Sequence, residues 1–101
     1  MLSAEFLIDP AHASLTGHFV NNPITPGVVT LDCVAQGLLE QIPETRLDGF
    51  TQVKFMNPLK ANVVAVVTYQ LKSDMLYHFN CEAGGDVILS GHMRIARKKS
   101  D

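Results

Sequence analysis

His18, Gly27 and Asp32 are the residues of this chain whose types and spacing suit proton transfer. Histidine has its ordinary pKa near neutrality and can take a proton there. Asp32 shares a helical face with Val29, Gln36 and Leu39. An unpaired carboxylate buried on such a face is costly. Burial also raises a carboxyl pKa, which makes the neutral acid accessible near neutral pH. Gly27 follows Pro26 at the head of the same run. Its N–H falls in the first helical turn, where amides have no intrahelical acceptor and the dipole favours negative charge. Glycine also allows close approach of a bound molecule. A base, an acid and an oxyanion donor are the parts of a proton-transfer site next to a carbonyl.

The elements that must hold these residues follow from period and punctuation. Residues 2–9 contain Phe6-Leu7-Ile8 and close at Asp9-Pro10, a short first strand. Residues 10–25 have no period, and the spacing predicts a long loop with one helical turn near His12–Thr16. A loop of that length in a compact domain is usually functional. Thr25 is read as the N-cap, with Pro26 in the first helical position. Val28, Leu31, Ala35, Leu38 and Ile42 then keep the helical period to about Gln41, and Pro43 stops it. Thr30, Cys33, Gly37 and Gln41 form a remaining stripe of small or polar residues. A helix apolar over so much of its circumference is expected to be mostly buried.

Beyond Pro43 the period changes to two. Thr51, Val53 and Phe55 are read on one face of a strand, with Gln52 and Lys54 on the other. Residues 61–72 are rich in β-branched side chains, and Ser73-Asp74 is read as a turn. Met75 to Glu82 alternates, Ala83-Gly84-Gly85-Asp86 signals a hairpin, and Val87 to Ile95 alternates again. Met56, Met75 and Met93 are expected in the core, and His12, His78 and His92 are read as surface or strand histidines. One long helix against an antiparallel sheet makes an α+β fold.

Length and composition bound the function. The 101 residues are expected to form one domain, 1–101. Hydrophobic residues make up 47% of a chain this small, which favours completing the core with a second copy. A net charge of −2 gives no electrostatic case for nucleic acid. The basic end Arg97-Lys98-Lys99 is read either as a solvated terminus or as a patch that steers an acidic partner. Cys33 and Cys81 lack metal-ligand spacing and read as buried free thiols, suited to a reducing cytoplasm. No metal is expected. No apolar run reaches the roughly 20 residues of a membrane span, and the first residues do not read as a signal peptide.

The stretch from His18 to Asp32, His-Phe-Val-Asn-Asn-Pro-Ile-Thr-Pro-Gly-Val-Val-Thr-Leu-Asp, resembles the signature of the 3-hydroxyacyl-[acyl carrier protein] dehydratases. Ala35-Gln36 after Asp32, and Phe50 to Phe55 followed by Pro58, extend the likeness over nearly the whole chain. Val20 stands where most long-chain members have proline. In length and in its Pro-Gly-Val-Val start the chain is more similar to the small dehydratases of aryl polyene pathways.

The resemblance implies a hotdog fold, an antiparallel five-stranded sheet wrapped around one long central helix. It implies removal of water from a 3-hydroxyacyl thioester to give the trans-2-enoyl thioester, in fatty-acid or polyene-type biosynthesis. His18 would be the base and Asp32 the acid, with Phe19, Gly27, Val28 and Gln36 around the substrate. Gln36, one turn past Asp32, would orient it. No cofactor is implied beyond the phosphopantetheine of an acyl carrier protein, or coenzyme A, that carries the substrate. The partners implied are that carrier and a second copy, in a homodimer or higher oligomer with shared active sites. Two rivals remain: an acyl-thioester hydrolase on the same fold, and a non-catalytic acyl-thioester binding module.

Overall fold

A computed structural model describes residues 1–8, 25–60 and 62–99. The expected helical turn near His12–Thr16, together with His18 and Phe19, lies outside the described residues. Among the described residues six elements follow in order: β1 (Leu2–Leu7), α1 (Gly27–Leu39), β2 (Thr45–Phe55), β3 (Val64–Ser73), β4 (Leu76–Ala83) and β5 (Asp86–Arg97). The strands form one antiparallel sheet in the order β1-β3-β4-β5-β2. The helix spans 13 residues, shorter than the long helix the sequence implied.

One face of the sheet carries α1. Ala65, Val67 and Tyr69 of β3, Phe79 and Cys81 of β4, and Met93 and Ile95 of β5 point to that face and are buried. Each set keeps the period of two that sheet pleating demands. Phe50 of β2 meets Phe79 edge to face, with ring centroids 5.8 Å apart. The opposite, outer face carries Gln70, His78, Asn80, Ser90 and His92, the alternate positions of the same strands.

Four local expectations change. Pro26, not Thr25, is the N-cap of α1, and among the described residues no side chain caps the helix. Thr25 instead donates its N–H to the Leu59 carbonyl at 2.7 Å, which draws its hydroxyl into the interior. Met75 sits in the turn between β3 and β4 with φ of 62°, and Met56 is 51% exposed, so of the three methionines only Met93 is fully buried. β2 begins at Thr45, earlier than the alternation suggested, because α1 already ends at Leu39 and a short turn through Pro43 carries the chain straight into the sheet. The basic end is not frayed up to Lys98: Arg97 pairs with Thr45, and the Lys98 N–H donates to the Glu44 carbonyl at 2.9 Å.

The hairpin at Gly84-Gly85 forms as expected. Both glycines have positive φ, 59° and 86°, the pair of left-handed conformations that a two-residue β-hairpin turn requires.

β2 also departs from simple alternation. Thr51 pairs with His92 and Lys54 with Ser90, so two residues of β2 stand opposite Gly91 alone. Gln52 takes φ of 54° to make this bulge. Thr51 and Lys54 therefore share the outer face, where strict alternation had put them on opposite faces.

Candidate active site

The helix docks on the sheet through a face that joins the stripe of small residues to part of the aliphatic row. Thr30, Val34, Ala35 and Leu38 are buried. Gly37 lies so close to β1 and β3 that an added Cβ would fall 2.5 Å from the Tyr69 hydroxyl and 2.9 Å from the Ala4 Cβ. That hydroxyl donates to the Val34 carbonyl at 2.6 Å, in the buried seam. Gln41 closes the far end of the seam, donating from Nε2 to the Ser3 carbonyl of β1 at 3.0 Å. Burial pushes the Tyr69 phenol pKa well up, so it remains a donor.

Docking by this face turns another stripe outward. Val28, Asp32 and Gln36, one turn apart each, are all exposed, and Val28 is 73% exposed. The expected burial of Asp32 and of Val28 is therefore absent in the single chain. The small residues allow the closest approach to the sheet and take the inner position, which leaves the carboxylate on the solvent side. Asp32 forms no salt bridge among the described residues. The expected contact between Gln36 and Asp32 is not a hydrogen bond here, though both lie on the one exposed stripe.

Gly27 is the first helical residue, as an oxyanion donor in that turn requires. It lines a cleft of about 250 Å³ with Thr25, Thr30, Phe55, Met56 and Leu59. An added Cβ on Gly27 would stand 2.9 Å from the Phe55 ring, so glycine here also lets β2 close on the helix. The Thr25 hydroxyl is buried at this cleft without a hydrogen-bond partner among the described residues. Phe55 and Met56, 57% and 51% exposed, extend the apolar surface beside Gly27 and Val28. Sequence reasoning assigned both to structure. The Asn57-Pro58 break after β2 was the available sign that this segment leaves the sheet.

Cys33 sits half-buried at the shoulder between the docking face and the exposed stripe. Burial, and then the Asp32 carboxylate, push its thiol pKa up, so it is a poor nucleophile. Cys81 is buried in the core, and burial pushes its thiol to about 11. Gly27, Val28, Asp32 and Gln36 thus share one helix, and Gly27 at its head shares a cleft with Phe55 and Met56. The placing of His18 and Phe19 lies outside the described residues.

A second cleft opens beyond the C-terminal end of α1, between Ile42, Pro43, Met75 and the basic residues Arg97, Lys98 and Lys99. Among the described residues no helix is long and apolar enough to cross a membrane.

Comparison with solved structures shows the hotdog fold. The ApeI:P dehydratase heterocomplex from Xenorhabdus doucetiae matches with a TM-score of 0.79 at 22% identity, covering 94% of this chain and 86% of that one. An uncharacterised protein from Erwinia carotovora matches at 0.72 and 18% identity, covering 94% and 82%. A variant of the fluoroacetyl-CoA-specific thioesterase FlK matches at 0.70 and 15% identity, covering 96% and 89%. No protein of curated function matches the chain significantly. The ApeI-like family profile, described as ApeI dehydratase, matches residues 1–92. With the profile spanning nearly the whole chain, and a helix that opens on Gly27 and carries Asp32, this chain belongs to the ApeI-like dehydratase family.

Proposed function

We propose that the chain dehydrates a 3-hydroxyacyl thioester to the trans-2-enoyl thioester, at a site completed by a second chain. The observation that carries this reading is the exposed stripe of α1. Val28, Phe55 and Met56 leave apolar surface in the open near the head of α1, where Gly27 meets the Phe55 ring, and Asp32 stands exposed one turn past Val28 on the same stripe; a monomer has no reason to leave that apolar surface uncovered. Membership of a dehydratase family supports the reaction class.

The steps follow from the groups present. His18 removes the proton from the carbon next to the thioester carbonyl. The Gly27 N–H, in the unpaired first turn, receives the negative charge that builds on the carbonyl oxygen. Asp32 gives a proton to the departing hydroxyl, and water leaves. In this reading His18 of one chain works with Asp32 of the other, and Phe19, Val28 and Gln36 line the acyl path. The acyl group rides on the phosphopantetheine of an acidic acyl carrier protein or on coenzyme A. The cleft of Arg97, Lys98 and Lys99, with Glu44 as the one carboxylate in its described lining, offers that carrier a net-cationic docking surface.

Incubation with a 3-hydroxyacyl thioester tests the reaction: conjugated enoyl absorbance is expected, and release of free thiol instead would assign a hydrolase. Mixing inactive His18→Ala and Asp32→Asn chains tests the shared site. Random exchange makes half the dimers hybrid, each with one intact site of two, so about a quarter of full activity returns. No recovery after verified exchange would place both groups in one chain. The heterocomplex of the Xenorhabdus relative favours a second reading of the partner, in which a different dehydratase chain covers α1. Activity that appears only on co-expression with such a chain would decide for it.

A further inference from the structure

The outer face of the sheet, away from α1, carries a cluster that the proposed reaction does not use. His78 of β4 and His92 of β5 are direct cross-strand partners, with ring centroids 5.1 Å apart and planes at 69°. Register extends their row to Gln70 on one side and Thr51 on the other. The adjacent row on the same face is Thr68, Asn80, Ser90 and Lys54. Between the rows lies a cleft of about 520 Å³, lined by Gln52, Lys54, His78, Ser90 and His92 with the Val53-and-Gly91 backbone region at its edge.

Three observations give this cleft a preference. Every polar side chain that lines it carries a hydrogen-bond donor, and none is a carboxylate. By register the nearest carboxylate along β4 on this face is Glu82, a row beyond Asn80, while Lys72 and Arg94 stand on the other side of the histidine pair. The bulge in β2 exists at this point only because Gln52 holds φ of 54°, a conformation that costs energy for a residue with a side chain. The bulge brings Lys54 onto the outer face opposite Ser90.

The third observation concerns the proton on His92. Its Nδ1 is buried without a hydrogen-bond partner among the described residues. A buried unpaired N–H is rarer and costlier than an unpaired lone pair. The proton of the neutral ring therefore sits on Nε2, the nitrogen left to donate. An ammonium, a hydroxyl, an amide and imidazole donors line one cleft, with no carboxylate among its described lining residues, and that chemistry suits a phosphate or similar oxyanion.

We propose that this donor-lined cleft of Gln52, Lys54, His78, Ser90 and His92 recognises a phosphate group. The inference is independent of the proposed reaction, since a chain without dehydratase activity binds phosphate here equally well. The phosphate comes either free or as the ester of a larger molecule, and the two sources share the same contacts.

The test is an NMR titration of the His78 and His92 imidazoles on the full chain, with inorganic phosphate, adenosine 3′,5′-bisphosphate and 4′-phosphopantetheine. Chloride at matched ionic strength is the control. Saturable shifts of both rings are expected with phosphate and not with chloride. Lys54→Gln, at an exposed position that folding tolerates, is expected to weaken binding about tenfold. Equal affinity for the three probes assigns free phosphate, and tighter binding of either ester assigns a larger ligand. Shifts that follow ionic strength alone, or an unchanged affinity in Lys54→Gln, would overturn the proposal. So would saturation of the two rings by Zn²⁺ or Ni²⁺ with no response to phosphate, which would make the histidine pair a cation site.

Discussion

The two long stripes of α1 differ in a way that separates folding from chemistry. The docking stripe, Thr30, Val34, Gly37, Leu38 and Gln41, is small where it meets the sheet and satisfied at its polar points, through Tyr69 and Gln41. The exposed stripe, Val28, Asp32 and Gln36, has a large aliphatic residue and a carboxylate in the open. Removing contacts from the first should unfold the chain. Changing the second should leave the chain folded and disable what it does with a partner. The lesson is that an aliphatic row of a short helix need not be its docking face along its whole length. Close approach favours small residues, because packing density sets the interior.

The largest expected effect breaks the exposed stripe. Asp32→Asn is expected to lower the dehydration rate about a hundredfold or more, with the melting temperature close to that of the unaltered chain. A large loss of melting temperature in that variant would give Asp32 a structural role and collapse the contrast.

Next is the docking stripe. Gly37→Ala drives a methyl into the Tyr69 hydroxyl and Ala4, and should cost about 1–3 kcal/mol in denaturant unfolding. Unaltered stability would mean that the helix can lift from the sheet freely.

Val28→Ser addresses the cover. The isolated chain exposes Val28, so its own stability should hold, while self-association measured by sedimentation weakens by about tenfold. If association is untouched, the cover lies elsewhere.

The smallest effect is at Cys33, on the shoulder between the stripes. Its thiol pKa is raised by burial first and by Asp32 second. A negative neighbour disfavours the thiolate, so Asp32→Asn should move the pH profile of Cys33 alkylation to lower pH. A shift to higher pH, or none, would show that the two side chains do not face one another.

Most of the fold was legible in the order of residues alone. The start near Pro26, a stop ahead of Pro43, the Gly84-Gly85 hairpin and the alternation in β3, β4 and β5 are local signals, each tied to backbone conformations that few residues allow. The candidate site was legible in part. Gly27 and Asp32 stand on one helix as their spacing predicts, yet the burial of Asp32 does not follow from periodicity. A period identifies faces without saying which one docks. The bulge at Gln52 was hidden for a related reason, since it lies in how β2 pairs with β5 and not in its own composition. Phe55 and Met56 were equally opaque, because an apolar residue at a strand end reads the same whether it enters a core or a surface.

Sequence by itself therefore determined the elements, their order and the residue types available for proton transfer. These depend on torsion preferences and on chemistry carried by single side chains. Tertiary structure alone decided that α1 rests on Gly37 and Thr30, that Asp32 faces outward, and that His78 and His92 meet across two strands. Those outcomes depend on close packing and register between segments far apart in the chain, where no local pattern reaches.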